Sequence, residues 1–296
     1  MKPKKILGIL GHKIDYSLSP LIHNTAAEHL GLDYYYTIFN IHSAESIPAA
    51  IEGMRALGIA GFNVTIPYKE RVVKYLDQLA PSASVVQAVN TIVNQDGLLI
   101  GYNTDVEGFA EPLLPFQAQL KHQSVAIFGN GGAARATVEA LKNLFEPSSI
   151  HLIVRNMRKG EELKQDLVRR SMYLKISVHE TDEPATLELL KTCRLIVNAT
   201  PIGTVYANAE PGTKSEPLLP GSSYIWNDQH IAYDLVYSPP MTAFLEDAKN
   251  HGATVISGID MLIGQAARAF QLWTGKDMPL DIVKAAVMKK IAASSD

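Results

Sequence analysis

The stretch Ser124–Ala134, SVAIFGNGGAA, constrains the fold more than any other part of the chain. Val125, Ala126, Ile127 and Phe128 form an apolar run of strand length. Gly129, Asn130, Gly131, Gly132, Ala133 and Ala134 follow, and Gly129, Gly131 and Ala134 satisfy the dinucleotide-binding spacing G-x-G-x-x-G/A. The first glycine permits a tight turn, the second lets the backbone approach a pyrophosphate, and the third small residue lets the next helix lie close on the sheet. Amide N–H groups at that helix start face negative charge. A glycine-rich turn with no nucleotide is the alternative. The helical run Ala133–Phe145, placed directly behind the strand, favours the nucleotide-binding reading.

The next strand, Ser149–Val154, indicates which dinucleotide. An acidic residue near its end would accept bonds from the ribose hydroxyls of NAD. Arg155 stands there instead, with Arg158 and Lys159 behind it, and cations suit the 2′-phosphate of NADP. A solvated basic loop at a helix start is the alternative.

The chain has 296 residues, enough for two domains, with 47% hydrophobic and 19% charged residues, as in globular proteins. A net charge of −3 offers no basic field for nucleic acid. The single cysteine, Cys193, excludes an internal disulfide and a cysteine metal cluster, and reads as a small buried residue. The apolar run near the N-terminus is split by Gly8 and reads as a first strand, not a signal peptide, and no run approaches membrane-spanning length. No metal is expected. The cytoplasm is the expected compartment.

Strands and helices alternate along the chain. Strands are expected at Ile6–Leu10, Asp33–Phe39 and Ala60–Val64, with a hairpin of Thr91–Asn94 and Leu98–Tyr102 around Asp96-Gly97. Helices are expected at Pro20–Leu30 with Ser19 as N-cap, at Ala44–Leu57 ending on Gly58, and at Lys69–Leu76. Pro112–Gln123 reads as a crossing between domains. Beyond the glycine turn, strands fall at Lys175–Val178, Leu195–Asn198, Ile231–Leu235 and Thr254–Ile256. Helices fall at Arg158–Arg170, Pro184–Thr192, Thr242–Asn250, Met261–Trp273 and Leu280–Ala292. Tyr206–Tyr224, rich in Pro and Gly, reads as a surface loop. The fold class is α/β with two domains. A mostly parallel, discontinuous substrate domain spans 1–107 plus 258–296, and a Rossmann-type domain spans 108–257.

Polar segments at strand ends of the first domain are where open α/β sheets bind ligands. Ser17-Leu18-Ser19-Pro20 offers hydroxyls at a helix start, which suits a carboxylate, although capping by Ser19 alone accounts for it without a ligand. Asn63 and Thr65 offer hydrogen bonds of both signs. Lys69, read as beginning a helix, stands where the dipole disfavours its charge, which points weakly to function. Asp105 follows a strand and competes between helix capping and chemistry. Lys69 and Asp105 together could handle a proton beside a carbonyl. Gln265 lies on the apolar stripe of its helix, where an amide needs a partner.

The segments SLSP, GFNVTIPYK, AVNTI, GYNTD, GNGGAA, NATPIG, DLVYSP and GIDMLIGQA occur in the order found in shikimate dehydrogenases. The chain resembles that family, of the biosynthetic NADP-dependent type, from about Gly8 to Trp273. The resemblance implies reversible NADPH-dependent reduction of 3-dehydroshikimate to shikimate. Lys69 and Asp105 would be the catalytic pair, and Ser17 and Ser19 would bind the substrate carboxylate. Asn63, Thr65, Asn90 and Gln265 would bind ring hydroxyls or the carbonyl edge, and Tyr237 would position substrate. Leu235 and Gly258 would lie near the carboxamide by their backbone, while Asn198, Ala199 and Thr200 would line the cofactor cleft. The partner implied is a small-molecule substrate, with no nucleic acid and no membrane, and a homodimer is left open.

Two departures stand out. Thr204 replaces the methionine common in the family, ahead of a long loop, and the basic run VRNMRK carries Asn156 where threonine is usual. An NAD-using quinate/shikimate dehydrogenase is the alternative enzyme, against which the basic cluster and the paired serines argue. A non-catalytic NADP-binding sensor is the alternative of another class, against which the intact Lys69 and Asp105 argue.

Overall fold

The computed structural model describes residues 3–65, 67–171, 174–181, 183–205, 217–219 and 225–293. They form two units, 1–108 with 263–296, and 109–262. The boundaries therefore fall inside two helices and not at 107 and 257.

The first unit contains β1 (Lys5–Gly11), β2 (Tyr34–Asn40), β3 (Gly61–Val64), β4 (Gln78–Leu79), β5 (Thr91–Gln95) and β6 (Leu98–Tyr102). Its helices in the N-terminal part are α1 (Ser19–His29), α2 (Ile47–Ala56), α3 (Pro81–Val86) and α4 (Asp105–Ala110), the last crossing the boundary. The sheet order is β2-β1-β3-β5-β6-β4. Strand β1 pairs parallel with β2 and β3, and β4 with β6, while β5 runs antiparallel to both neighbours. The hairpin is as expected: Asp96 (φ 52) and Gly97 (φ 94) are both left-handed, the conformation a two-residue turn of this hand requires.

Alternation along β1 feeds two cores. Leu7 and Ile9 join Tyr36, Val93 and Trp273 on one face, and Leu10 joins Ile51, Met54, Phe62 and Ile92 on the other. The chain returns to this unit through α10 (Gly258–Thr274), which itself crosses the boundary, followed by α11 (Leu280–Ala292). Trp273 anchors the return. Its indole Nε1 donates to Ile92 O at 2.9 Å, and any Cβ on Gly61 would sit 2.0 Å from the same nitrogen. Only glycine allows that approach.

Two expected helices differ. Ala44–Leu57 divides into a 3₁₀ turn, Ala44–Ser46, and α2, because Pro48 stands in the first turn, where its missing N–H costs nothing. Helix α2 ends as expected: Gly58 (φ 65) lets the Ile59 N–H reach Met54 O at 3.0 Å. The helix expected at Lys69–Leu76 is absent apart from a 3₁₀ turn, Val73–Tyr75. The Lys69 carbonyl accepts from the Val89 N–H at 2.8 Å, so it is not available to continue a helical ladder. Lys69 therefore does not stand at a helix N-terminus, and no helix dipole opposes its charge.

The second unit begins with a 3₁₀ turn, Glu111–Phe116, and α5 (Gln117–Leu120), which replace the plain crossing expected there. It continues with β7 (Ser124–Phe128), α6 (Gly132–Leu144), β8 (Ser149–Val154), α7 (Met157–Arg170), β9 (Ile176–Glu180), α8 (Pro184–Leu190), β10 (Leu195–Asn198), β11 (Ile231–Asp234), α9 (Ala243–Asn250) and β12 (Thr254–Ile256). The sheet order β12-β11-β10-β7-β8-β9 is parallel throughout. This is the doubly wound order of Rossmann-type domains, with the direction of winding reversing between β7 and β10. The loop expected at Tyr206–Tyr224 lies outside the described residues except for 217–219.

Candidate active site

In the first unit the polar residues at the strand ends converge on one ion pair. Lys69 Nζ donates to Asp105 Oδ2 at 2.7 Å, with the lysine side chain 21% and the aspartate 8% exposed. Each is held by the local fold. The Lys69 backbone is tied to Val89, as described above. Asp105 opens α4, and its own N–H donates to Asn103 Oδ1 at 3.0 Å. Asp105 is itself the first residue of α4 and so is not its N-cap, which leaves its carboxylate to Lys69 and Asn90.

Asn90 Nδ2 donates to Asp105 Oδ1 at 2.8 Å and to Thr104 Oγ1 at 3.0 Å, while Asn90 Oδ1 accepts from the Thr104 N–H at 2.8 Å. A backbone N–H can only donate, so this amide has one orientation. Asn63 Nδ2 donates to Asn90 O and Thr91 Oγ1, both at 3.1 Å, and Asn63 Oδ1 accepts from the Tyr36 hydroxyl at 2.7 Å. Asn63, Asn90, Asn103, Thr91 and Thr104 are all buried. Buried polar groups so completely paired form a rigid platform.

The remaining site candidates of this unit are Ser17, Ser19, Thr65 and Gln265. Ser19 is buried and is the first residue of α1. The N-cap expected at Ser19 is corrected: Leu18 occupies that position, and it is Ser17 Oγ that accepts from the Ser19 N–H at 3.2 Å. Thr65 is half-buried, its N–H donating to Leu10 O at 3.0 Å. Gln265, half-buried on α10, backs onto Gly108, where a Cβ would lie 2.6 Å from the Gln265 backbone nitrogen.

In the second unit the glycine turn sits at the carboxyl end of β7, beside the point where winding reverses. Gly129 has φ 112, and a Cβ there would meet Ala199 O at 3.0 Å and Thr200 Cγ2 at 3.2 Å. Gly129 and the Asn198–Thr200 segment are therefore neighbours. Gly131 is the N-cap of α6 and offers no side-chain acceptor. A Cβ on Gly131 or Gly132 would meet nothing within 4 Å, whereas Ala134 is fully buried. Asn130 and Ala133 are half-buried. A backbone left bare at a helix start, with the small third residue packed inward, fits a dinucleotide pyrophosphate.

Arg155, Arg158 and Lys159 are exposed together around the start of α7. Asn156, at the departure from the usual pattern, is the N-cap of that helix, its Oδ1 accepting from the Lys159 N–H at 3.0 Å. Leu235 and Gly258 are brought together, since a Cβ on Gly258 would lie 2.6 Å from the carbonyl oxygens of Leu235 and Val236. Tyr237 is half-buried in this same unit.

Asn198 is fully buried and its amide is used within the protein. Its Nδ2 donates to Asp234 Oδ1 and Ile202 O, both at 2.9 Å, and its Oδ1 accepts from the Thr200 N–H at 3.0 Å and hydroxyl at 2.7 Å. It shapes the loop after β10 from behind. Asp234, which sequence reasoning did not single out, also accepts from the Val236 N–H at 2.9 Å and the Thr242 hydroxyl at 2.5 Å. Burial nevertheless pushes its carboxyl up to about 6, those three donors opposing. Tyr36, Thr91, Asn103 and Thr104 were likewise not singled out, although the last three lie in or next to the quoted segments AVNTI and GYNTD.

Comparison with known proteins decides the family. Residues 9–92 match the model for the shikimate dehydrogenase substrate binding domain, and residues 258–288 that for the shikimate 5′-dehydrogenase C-terminal domain. The shikimate dehydrogenase (NADP(+)) of Chlorobaculum tepidum is 51% identical over 98% of this chain and 97% of its own length. The chain belongs to the shikimate dehydrogenase family. A crystal structure of a shikimate dehydrogenase in complex with NADP+ matches with a TM-score of 0.84 at 35% identity, over 97% of this chain and 96% of that one. The quinate dehydrogenase of Corynebacterium glutamicum, solved in complex with NAD, matches with a TM-score of 0.85 at 26% identity, over 97% of this chain and 100% of that one. The family's substrate-binding model thus covers β1 through the start of β5, where Asn63, Lys69 and Asn90 lie.

Proposed function

We propose that the chain is an NADP-dependent oxidoreductase acting on a CH–OH group, and that it carries out the reversible reduction of 3-dehydroshikimate to shikimate in chorismate and aromatic amino acid biosynthesis. The observation that carries this reading is the 2.7 Å pair of Lys69 and Asp105, held in a buried amide network. The first unit is the substrate-binding one and the second the NADP-binding one.

NADPH, when bound, supplies the hydride that reduces the ring ketone. As the carbonyl carbon gains that hydride, negative charge grows on its oxygen. Lys69, at a half-buried position, stabilises the charge more in the transition state than in the ground state, which is what accelerates the step, and a proton delivered through the Lys69–Asp105 pair turns the oxygen into the product hydroxyl. Asp105 and Asn90 hold Lys69 and the substrate hydroxyls in register. Ser17 and Ser19 take the carboxylate, and Asn63, Thr65 and Gln265 take ring hydroxyls or the carbonyl edge. Tyr237 positions the substrate. The bare backbone of Gly129–Ala133 takes the pyrophosphate, Arg155, Arg158 and Lys159 the 2′-phosphate. Thr200 lines the cofactor site, with Asn198 supporting it, and the backbone of Leu235 and Gly258 faces the carboxamide. No helix among the described residues is long and apolar enough to cross a membrane.

Turnover of shikimate and quinate with NADP+ and NAD+, in wild type and Arg155→Asp, tests this reading. Shikimate with NADP+ is expected to be the best pair. Arg155→Asp should weaken NADP+ selectively, because the 2′-phosphate loses a cation and meets an anion. Quinate with NAD+ as the best pair would establish the other member of the fold family. Equal losses for both cofactors in Arg155→Asp would show Arg155 to be structural.

A further inference from the structure

The amide network extends beyond the residues that the proposed reaction uses. Tyr36, on β2, is 1% exposed, and its hydroxyl donates to Asn63 Oδ1 at 2.7 Å. Its ring is clamped: His23 of α1 stacks on it with centroids 4.4 Å apart at 15°, and Trp273 of α10 lies 6.1 Å away. The His23 imidazole is itself buried, and neither ring nitrogen has a hydrogen-bond partner of normal geometry among the described residues. Burial lowers it to about 3, with the Asn63 side chain nearby working weakly the other way, so His23 is a neutral plate. Burial likewise raises the Tyr36 phenol well above 10, opposed slightly by the Ser19 hydroxyl. Tyr36 therefore stays a proton donor, placed behind both Ser19 and Asn63.

From Tyr36 the donors all run one way. The hydroxyl donates to Asn63 Oδ1, and Asn63 Nδ2 donates to Thr91 Oγ1. The Thr91 hydroxyl donates to Asn90 Oδ1 at 3.1 Å, and Asn90 Nδ2 to Asp105 Oδ1. The direction is fixed at two points by groups with no choice of role. Asn90 O can only accept, which orients Asn63, and the Thr104 N–H can only donate, which orients Asn90. Bonds aligned in series polarise one another, so the first donor is felt at the last acceptor.

We propose that Tyr36 is a positioning residue for the reaction: its clamped hydroxyl sets the Asn63 amide and, through Thr91 and Asn90, the Asp105 carboxylate that holds Lys69. The proposal rests on the functional reading given above. It makes β2 part of the reaction machinery, although no atom of Tyr36 needs to touch substrate.

Tyr36→Phe keeps the ring and its stack on His23 and removes only the donor. Its kcat with shikimate and NADP+ should fall about tenfold, the size of one lost buried hydrogen bond, with the KM for NADP+ unchanged. In an Asp105→Asn background the same change should cost less than about twofold, because the relay no longer ends on a carboxylate. The side-chain amide signals of Asn63 and Asn90 in ¹⁵N spectra should both move, with Asn227 of the second unit as the unmoved control. Wild-type kcat in Tyr36→Phe, or an undiminished tenfold loss in the Asp105→Asn background, would overturn the relay. If the wild type itself turns over no shikimate with NADP+, the functional reading fails separately. The amide signals then decide the relay alone: movement of Asn63 and Asn90 together supports it, and movement of Asn63 alone overturns it. Should Tyr36→Phe fold poorly, Thr91→Val interrupts the same relay and carries the same expectations.

Discussion

The cluster around Lys69 and the turn at Gly129–Gly132 are built on opposite plans. The first is made of side chains directed at one another. Tyr36, Asn63, Thr91, Asn90 and Asp105 each hydrogen-bond to a neighbour, and all five are buried. The second is made by leaving side chains out, so that at Gly131 and Gly132 an added Cβ would meet nothing within 4 Å. A site that must hold a small polyol and steady a growing charge needs fixed directional groups. A site that must admit a pyrophosphate to backbone amides needs bare backbone. One plan is broken by deletion and the other by addition.

Deletion is expected to have the largest effect. Lys69→Met keeps the volume and removes the charge. Turnover should fall on the order of 10²–10³, the loss typical of one transition-state donor, while shikimate affinity measured by calorimetry changes far less. A drop confined to affinity would make Lys69 a binding residue.

Addition comes next. Gly131→Val should leave the melting temperature intact, because the new side chain meets no protein atom within 4 Å at its Cβ. NADP+ affinity should fall about a hundredfold, as two bonds from backbone N–H groups to a charged phosphate are lost. Full NADP+ affinity in this variant would show that the turn is only a turn.

The effects on stability lie in acid, where the two units respond with opposite signs. Burial lowers His23 from 6.5 to about 3. Between those values the unfolded chain takes up a proton that the folded chain refuses, so stability is lost as pH falls through that window. Burial raises Asp234 from 3.8 to about 6, so there the folded chain binds the extra proton and stability is lost as pH rises from 3.8 to 6. Urea denaturation from pH 4 to 7 should show a shallower acid loss in His23→Phe and a steeper one in Asp234→Asn. Identical pH dependence in both variants and the wild type would remove these two groups from the account.

Much of this was legible in the sequence, for reasons that can be named. Gly129 at the head of the glycine motif, the Asp96-Gly97 turn and the Gly58 stop are conformational requirements that few other residues meet, and each lies where the sequence suggested. Lys69 and Asp105 could be picked out, but not for the reasons at hand. No helix starts at Lys69, because Val89, twenty residues later, takes its carbonyl. Asp105 does not cap α4, because the helix starts with it and its own N–H goes to Asn103. Both facts depend on partners distant in sequence or on a choice between adjacent polar residues, which periodicity does not resolve. Tyr36 was hidden for a similar reason. It stands in a run of three tyrosines, and only the pairing of β2 with β1 decides that Tyr36 faces inward while Tyr35 is exposed. Asp234 looked like any residue at a strand end until Asn198 and Thr242 closed around it.

The central claim is that Lys69 and Asp105 act as one unit in the reaction, and a double-mutant cycle tests it most directly. Turnover of shikimate with NADP+ is measured for the wild type, Lys69→Met, Asp105→Asn and the double variant under one set of conditions. If the pair acts as a unit, the double variant turns over no more slowly than about the poorer single variant, since the second change removes a group whose partner is already gone. Losses that multiply in the double variant would mean two independent contributions, and the 2.7 Å contact between them would then be an ion pair without a shared role in the step.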